Sequence, residues 1–536
     1  MQLLLLMNLE KCIRNFSMNH PRVIRKLVVV LGDQLDHQTL AFNEFDDSID
    51  AIWMAEVYAE NLHVRSHKSR SVIFLSAMRH FCAEQQGIGR HVIYHPLGER
   101  QQSLASALEK TISDHRVETV VLTKPGDFRV EKSLSNILEE HNQDYEILRD
   151  NHFICDPDDF KNFGANGKKQ RLEFFYRRLR KETGYLMEGN LPVGGKWNYD
   201  EQNRGSFKKH GPQDLVDPIF FKIDTITKEV MKEVENAFPE NPGSIENFNW
   251  PVTRCQALEA LDDFVQNRLP NFGKFQDAMW SGQSWLYHSR LSVCLNLKLL
   301  SPREVLTAAE NAYHSDHASL SSVEGFIRQI LGWREFVRLI YHHRMPEYVE
   351  SNSLNAKEDL PNFFWTGDTE MSCLNDCIQQ TLSTGYNHHI QRLMVTGLYT
   401  LMLGVNPKQV HEWFLSMYVD AVEWVEVPNV IGMSQFADGG VMSSKPYVAT
   451  GKYINFMNSG DFFFRKRTIE HIFKKTQTHD VIYGDCMMYY ESFLRIIKSK
   501  QMKYFDSEMI FSHQSAFIKT SLQKKIRFSN KYKLSA

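Results

Sequence analysis

The sequence predicts a two-part fold, an α/β domain of the doubly wound, Rossmann-like type followed by an all-α domain. Over roughly the first 150 residues, short β-branched runs alternate with helical patterns, which favours a parallel sheet covered by helices. From residue 226 to residue 450 the strand patterns stop and amphipathic helical periodicity dominates. The length of 536 residues exceeds what one small core can bury, so several folding units are expected.

The first strand is predicted at Arg25–Gly32, a run of Leu and Val that leads into Gly-Asp-Gln. Further strands are predicted at 51–57, 91–94 and 119–123, with helices at 69–84 and 103–113. In a doubly wound sheet the ligand crevice lies at the carboxyl ends of the strands. This rule places Asp33, Gln34 and Glu56 at a candidate ligand site.

Composition divides the chain further. A leading segment at 1–24 precedes the α/β domain at 25–150, and residues 151–225 are polar and rich in turn residues, as a connector is. A basic helix is predicted at 168–181, with Leu172, Phe175, Tyr176 and Leu179 as its apolar face, so its Lys and Arg are expected to form a solvated face. The helical domain is predicted at 226–455, and the tail at 456–536 is set apart by its charge. It holds 15 Lys and Arg against 7 Asp and Glu, whereas the whole chain has a formal net charge of -3.

The compartment follows from cysteine usage and from the first residues. The eight cysteines are scattered and include no CxxC pair, so a disulfide framework is not expected. The apolar start is only about seven residues long and has no basic flank, which fits neither a signal peptide nor a membrane span. The sequence therefore predicts a cytoplasmic protein without a membrane partner, and we expect a monomer.

One short run, 385–397, concentrates protonatable groups. His388, His389 and Arg392 stand among apolar residues at helical spacing. Burying such groups is costly without a partner, so the run is a candidate ligand or reaction site. The alternative is that a histidine satisfies a hydrogen bond in the core. Asp420 and Glu426, carboxylates inside apolar helical patterns, need partners for the same reason.

Two further stretches allow a structural and a functional interpretation. Ser289, Arg290, Leu291 and Ser292 precede a helical pattern, and hydroxyls with an arginine at a helix start suit either a phosphate or an ordinary N-cap. In 328–336, Trp333 stands beside charged residues. It is either half-exposed packing or a stacking platform for a base.

In this order, after an α/β domain, these stretches resemble the photolyase/cryptochrome superfamily. More narrowly, they resemble the iron–sulfur bacterial (6-4) photolyases, described as deoxyribodipyrimidine photolyase-related proteins, and their cryptochrome relatives. The resemblance covers about residues 25–455. It rests on GDQL at 32–35, AMRHF at 77–81, GYNHHIQRLMVTG at 385–397, VHEWF at 410–414 and GMSQFADGG at 432–440.

The resemblance implies a bent FAD in the helical domain and a lumazine antenna in the α/β domain. Light would drive an electron from the reduced flavin to a (6-4) pyrimidine photoproduct flipped out of UV-damaged DNA. The residues that match the family's flavin site are Ser289, Arg290, Leu291 and Ser292 at the phosphates, and Gln329, Arg334, Arg392 and Asp420 around the flavin. The antenna would lie near Asp33, Gln34 and Glu56.

The resemblance also assigns the lesion site. His389, beside His388, matches the histidine thought to give a proton to the lesion, and Glu426 and Tyr447 match residues of the lesion pocket. Relatives outside the bacterial branch have a second histidine four residues on, where this chain has Leu393, so a mechanism with one histidine is implied. Trp365 and Trp413 match the tryptophans that pass electrons to the flavin. Buried core indoles are an equally compatible interpretation of these two.

The chain departs from the family at the iron–sulfur site. Cys373 matches the first of four cysteine ligands, but the other three positions hold Asp461, Phe464 and Gln477. We therefore predict that no ordinary 4Fe-4S cluster forms. The tail at 456–536 resembles instead a fragment of a family 2, GT-A-type glycosyltransferase. Because the nucleotide-sugar-binding half is absent, glycosyl transfer is not expected.

Three functional hypotheses remain after the sequence alone. The first is a DNA photolyase of the (6-4) type, a lyase that repairs DNA with light. The second is a cryptochrome-type blue-light photoreceptor without repair activity. The third is an inactive hybrid whose altered tail prevents stable folding.

Overall fold

The computed structural model describes residues 23–160, 171–207, 211–369 and 371–447. Its first part is a parallel sheet of five strands in the order β3-β2-β1-β4-β5. The strands are β1 (Val23–Val29), β2 (Ala51–Ala55), β3 (Val92–His95), β4 (Arg116–Thr123) and β5 (Tyr145–Leu148). Leu27 of β1 pairs with Ala51 on one side and with Val120 on the other.

The sheet forms because its central strands are apolar on both faces. All five residues of β2 are buried, as expected for a parallel strand covered by helices on both sides. The covering helices are α1 (Tyr58–Leu62), α2 (Lys68–Gly87), α3 (Leu104–Asp114) and α4 (Phe128–Glu140). The four predicted strands and both predicted helices are confirmed. Strand β5 was not predicted, since it has four residues and none of them is buried.

The connector holds one helix, α5 (Leu172–Thr183), and a small antiparallel pair, β6 (Met187–Glu188) and β7 (Leu191–Pro192). The helix buries Phe175, Tyr176 and Leu179, the apolar face that the sequence predicts. Its arginines and lysines therefore flank a packed face.

Helices dominate residues 225–434, as the sequence predicts. The α-helices are α6 (Thr225–Ala237), α7 (Arg254–Asn267), α8 (Leu269–Phe275), α9 (Ser292–Asn296), α10 (Pro302–His314), α11 (Leu320–Ile327), α12 (Glu335–Arg344), α13 (Phe363–Thr366), α14 (Ser372–Thr384), α15 (Leu398–Leu403), α16 (Pro407–Met417) and α17 (Glu423–Val427). Three π-helical segments continue such helices, at Arg328–Arg334, Gln391–Gly397 and Pro428–Ser434. Short π-helical turns are frequent at functional sites, because the extra residue redirects side chains. Within the described ranges, no helix is both long and apolar enough to cross a membrane.

The two parts pack where the sheet's carboxyl ends face the helical domain. The ring of Trp424 meets that of Phe153 edge-on, with centroids 5.1 Å apart. Gly126 lies so close to Trp424 that a Cβ atom there would stand 2.7 Å from the indole. A buried ion pair of 2.7 Å joins Lys298 to Asp150 across the same boundary. This contact places the loops that follow the strands against the helices that carry the candidate site. The predicted boundaries of the five segments stay predictions.

Candidate functional site

The centre of the helical domain contains a buried ion pair between Arg392 and Asp420. Nη1 and Nη2 of Arg392 donate to the two carboxylate oxygens at 2.9 and 3.2 Å, and Ser292 Oγ donates to the same carboxylate at 2.6 Å. The guanidinium also lies 3.9 Å over the ring of Tyr418. A bidentate pair of this kind fixes both side chains in orientation. The structure thus brings together three residues that the sequence assigns to the flavin.

Arg290 is held in an aromatic cage. Its guanidinium carbon lies 4.2 Å from the ring centre of Trp250 and 4.0 Å from that of Trp285, and Nη2 donates to Asn249 at 2.7 Å. Burial lowers the pKa of Arg290 to about 9. Among the described residues it has no carboxylate within ion-pair distance, and its buried Nε has no hydrogen-bond partner. A buried cation without an anion is costly, so this side chain suits an anionic ligand.

Three histidines form a cluster beside the ion pair. The rings of His288 and His388 stack with centroids 4.6 Å apart, and His389 meets His288 edge-on at 5.7 Å. Burial lowers the pKa of His288 to about 3 and that of His388 well below its usual value. His389 is different, because 52% of its side chain is exposed and its Nε2 lies 3.0 Å from Oδ1 of Asp277. The cluster therefore combines two buried neutral imidazoles with one accessible imidazole.

Glu426 and Tyr447, assigned to the lesion pocket, lie in different surroundings. Glu426 is buried near Arg392, Asp420 and Arg70, and burial raises its pKa to about 8. It is therefore largely protonated at neutral pH. The pKa of Tyr447 is raised by burial and by the nearby carboxylate of Asp200, which pairs with Arg328. The structure groups Glu426 with the flavin-assigned pair and Tyr447 with the segment that follows helix α11.

Gln329 and Arg334 form no hydrogen bond with Asp420 within the described part of the chain. Gln329 is exposed and donates to Gly325 of its own helix at 3.0 Å. The guanidinium of Arg334 lies over the rings of Phe153 and Trp424, at the boundary between the two parts. Ser289 accepts a long bond of 3.3 Å from the N–H of Leu291. Their assignments to the flavin, and that of Leu291, stay predictions.

The two tryptophans assigned to electron transfer differ in exposure. Trp413 is fully buried, and its Nε1 donates to the carbonyl of Phe364 at 3.0 Å. Its ring contacts those of Phe364 and Tyr418, with centroids 5.1 and 5.8 Å away. Trp365 follows Phe364 in the chain and is 36% exposed. Ring contacts thus connect Phe364, the chain neighbour of Trp365, through Trp413 to Tyr418, which Arg392 covers.

A cavity of about 130 Å³ lies between the sheet and the helical domain. Asp33 and Glu56, two of the residues assigned to the antenna, line it together with Arg70 and Glu423. Burial raises the pKa of Asp33 to about 6, and burial with the adjacent Asp127 raises that of Glu423 to about 7.

The three antenna-assigned side chains differ in how far the protein already uses them. The Glu56 carboxylate accepts four bonds, from Arg79, Tyr94 and the N–H of Leu97, at 2.5 to 2.8 Å. Gln34 donates to the carbonyls of Thr123 and Lys124. The Asp33 carboxylate, in contrast, lines the cavity without a comparable set of protein hydrogen bonds among the described residues.

The iron–sulfur prediction falls mostly outside the described residues. Cys373 is buried in helix α14, one turn from Cys377, which is also buried. The positions of Asp461, Phe464 and Gln477 and the tail at 456–536 lie beyond the described ranges. The absence of an ordinary cluster therefore stays a prediction.

The comparisons with known proteins agree with one another. Residues 28–250 match the family described as "Deoxyribodipyrimidine photo-lyase-related protein". A "(6-4) photolyase" of Agrobacterium fabrum is 44% identical over 437 residues, 81% of this chain and 85% of that protein. The chain belongs to this photolyase family. None of these similarities supports the resemblance of the tail to glycosyltransferases.

Solved structures show the same fold. A bacterial class III photolyase from Agrobacterium tumefaciens matches with a TM-score of 0.56 at 14% identity, over 95% of this chain and 100% of that one. A Synechocystis cryptochrome matches with a TM-score of 0.54 at 15% identity, over 82% and 89% of the two chains. The predicted α/β plus all-α architecture is therefore confirmed, and the relative at 44% identity confirms the predicted family.

Sequence reasoning missed several residues of the site. Asp277 was not singled out, although its carboxylate positions His389. Tyr386 was also overlooked, although the Arg392 guanidinium lies 5.6 Å from its ring centre and Arg290 is a further charged neighbour. Neither Asp277 nor Tyr386 belongs to a local sequence pattern that would mark it as functional.

Proposed function

We propose that this protein is a light-driven, FAD-dependent DNA photolyase that acts on (6-4) pyrimidine photoproducts in UV-damaged DNA. The observation that carries the proposal is the accessible imidazole of His389, which Asp277 holds at 3.0 Å beside the buried Arg392–Asp420 pair. The family assignment and the 44% identity to a (6-4) photolyase support it.

The described side chains fit a flavin dinucleotide. Arg290 supplies a buried cation without an anionic partner among the described residues, as a diphosphate requires. Arg392 and Asp420 supply fixed hydrogen-bonding groups in a buried site, and Glu426, protonated at neutral pH, adds a donor. When bound, FAD supplies the electron that light transfers to the lesion. The protein's own task is to bind, to orient and to exclude water.

His389 is the residue that we assign to proton transfer. A general acid must be reachable by the substrate and held in one orientation. The exposed half of its ring meets the first condition, and the Asp277 carboxylate on Nε2 meets the second. His388 is buried and neutral, so it supports the neighbouring ring and does not compete as a proton source.

Two further assignments belong to the same proposal. Trp413 and the exposed Trp365 are the residues by which electrons reach the flavin from the surface, since Trp413 contacts Phe364, the chain neighbour of Trp365. The cavity lined by Asp33 is the site of an antenna chromophore of the lumazine type. Because the pKa of Asp33 is raised, part of the population carries a protonated Asp33 carboxyl near neutral pH, and this carboxyl can donate a hydrogen bond to a ring nitrogen or carbonyl.

The test is repair of an oligonucleotide that contains one (6-4) photoproduct, under blue light, with the full-length flavin-loaded protein. His389→Asn should slow repair by about 10²–10⁴-fold, the usual contribution of a general acid, while flavin content stays unchanged. A matched control is His141→Asn, an exposed histidine that also contacts a carboxylate, Glu109, at 3.2 Å. This control should repair at the wild-type rate.

Repair at equal rates by His389→Asn and wild type would contradict the role of His389. Flavin that is reduced by light in a protein without any repair would favour a cryptochrome-type photoreceptor. A preparation that retains no flavin would contradict the FAD proposal and favour an inactive hybrid.

A further inference from the structure

The ring nitrogens of His288, His388 and His389 lie close enough together to become ligands of one metal ion. Ligand nitrogens of the three rings all lie within 4.8 Å of one another. The cluster joins two segments that are about 100 residues apart in sequence, the loop before helix α9 and the start of the π-helical segment at Gln391–Gly397. Within the described ranges, it is the group of three His, Cys, Asp or Glu side chains whose ligand atoms lie close enough together to hold a metal ion.

The nitrogens of this cluster are incompletely used by the protein. Nε2 of His288 is buried and has no hydrogen-bond partner among the described residues. Nδ1 of His388 accepts only a long bond, 3.3 Å, from the N–H of Ile390. A buried nitrogen without a partner costs free energy, so an unpaired nitrogen beside two other imidazoles suits a further ligand.

We propose that His288, His388 and His389 bind a borderline transition-metal ion such as Zn²⁺, and that the bound ion blocks proton donation by His389. The second half rests on the proposed function. Imidazole nitrogen is a preferred ligand of Zn²⁺, Ni²⁺ and Cu²⁺, whereas Mg²⁺ and Ca²⁺ prefer oxygen. Three protein ligands leave a fourth position for water, as in open zinc sites.

The distances set what binding requires. Zn–N bonds of about 2.0–2.1 Å place tetrahedral ligands roughly 3.4 Å apart, so nitrogens within 4.8 Å of one another must close by up to roughly 1.4 Å. Because an imidazole binds a metal ion in its ring plane, the stacked rings of His288 and His388, 13° apart, must also tilt. The half-exposed ring of His389 can make part of this movement by turning about its Nε2 contact with Asp277. His388 must exchange its long contact with Ile390 for the metal or turn its other nitrogen toward it.

Asp277 completes the arrangement. Its carboxylate bonds Nε2 of His389, which leaves Nδ1 of the same ring for a metal ion. A carboxylate on the second nitrogen of a metal-bound histidine is the usual way in which proteins orient such ligands. In the metal-bound state both nitrogens of His389 are occupied, and the ring has no additional proton to give to a lesion.

The experiment measures zinc binding and repair separately, with the full-length flavin-loaded protein. A zinc-indicator dye competes for the ion in wild type, in His288→Phe, in His389→Asn and in a control, His317→Gln. Phe at position 288 retains the edge contact with Phe272, now 6.0 Å between ring centres, but offers no nitrogen. His317 is an exposed histidine whose Nε2 contacts the carbonyl of Gln266 at 3.0 Å.

We expect both cluster variants to bind zinc about 10–100-fold more weakly than wild type, with His317→Gln unchanged and Mg²⁺ unable to displace the ion. His389→Asn keeps the test valid even if His288→Phe folds poorly, because its side chain is half exposed. In the repair assay, zinc should inhibit the wild type at the concentrations that saturate the site. The zinc response of each variant is compared with its own zinc-free rate.

Equal zinc affinity in wild type and in both cluster variants would overturn the metal site. Saturating zinc with an unchanged wild-type repair rate would overturn the blocking effect. A protein that binds zinc through His288 but never repairs DNA, even without zinc, would support the metal site and overturn the proposed function.

Discussion

Replacing Asp420 with Asn should destabilise the protein strongly, because it leaves a buried guanidinium without its counter-charge. Asp420 accepts two bonds from Arg392 and one from Ser292, at 2.6 to 3.2 Å. Burial alone would lower the pKa of Arg392, but the Asp420 carboxylate raises it above its usual value. The pair is thus stabilised mainly by mutual attraction in a site with little water.

The expected magnitude follows from burial. The side chains of Arg392 and Asp420 are only 17% and 11% exposed. Removing one partner of a buried pair costs about 3–5 kcal/mol in the free energy of unfolding. The remaining favourable contact of the guanidinium, the face of Tyr418 at 3.9 Å, supplies about 0.5–2 kcal/mol and cannot replace it.

Urea unfolding at neutral pH, followed by far-UV circular dichroism, measures this difference. The matched control is Glu350→Gln, which breaks an exposed ion pair with Lys408, and which should cost no more than about 1 kcal/mol. The double variant Arg392→Met with Asp420→Leu should recover most of the lost stability, because it leaves no unpaired charge. If Asp420→Asn unfolds within about 1 kcal/mol of the control, the pair is solvated and the reasoning fails.

Three further predictions test other parts of the structure. Gly126→Ala should lower the free energy of unfolding by about 1–3 kcal/mol, since its Cβ would stand 2.7 Å from Trp424. Gly87→Ala, at a helical position with open space, should raise the free energy of unfolding by about 0.5–1 kcal/mol. Equal urea midpoints for the two variants and the wild type would contradict both predictions. Glu426→Gln should gain stability relative to wild type as pH rises. The folded wild type binds the Glu426 proton more tightly than the unfolded chain does, and this stabilises the folded state fully below about pH 4.5. The stabilisation, up to about 5 kcal/mol in the free energy of unfolding, is lost as pH rises through the folded pKa of about 8. Urea unfolding across that window checks the sign, and a difference that does not vary with pH would refute it. Trp413→Phe should slow the bleaching of flavin absorbance under blue light while the protein stays folded; an unchanged rate would make Trp413 a core indole only.

The fold could be predicted largely because its elements carry strong local signals. Strands β1, β2 and β4 are apolar runs bounded by turns, and helix α5 repeats its apolar face at helical spacing. Strand β5 lacks buried residues and gives no such signal. The π-helical segments were also not predicted, since one extra residue in a turn barely alters hydrophobic periodicity.

The candidate site could be predicted only where its residues are neighbours in sequence. The run at 385–397 identified His388, His389 and Arg392 together. Asp277 contacts His389 across 112 positions, and Asp420 reaches Arg392 across 28. Such contacts arise from tertiary packing, so no spacing in the sequence indicates them.

How completely a buried polar group is satisfied helps to separate structural residues from ligand-binding ones. Glu56 stands at the end of a strand, where a ligand is expected, yet its carboxylate is committed to four protein donors. Arg290 and His288 are also buried, but each retains a nitrogen that no described residue bonds. Because leaving a buried polar atom unpaired costs about 1–3 kcal/mol, these two positions are where a ligand would restore the missing interaction. The contrast explains why the diphosphate is assigned to Arg290 and the metal ion to the histidines, while Glu56 is first of all a part of the fold.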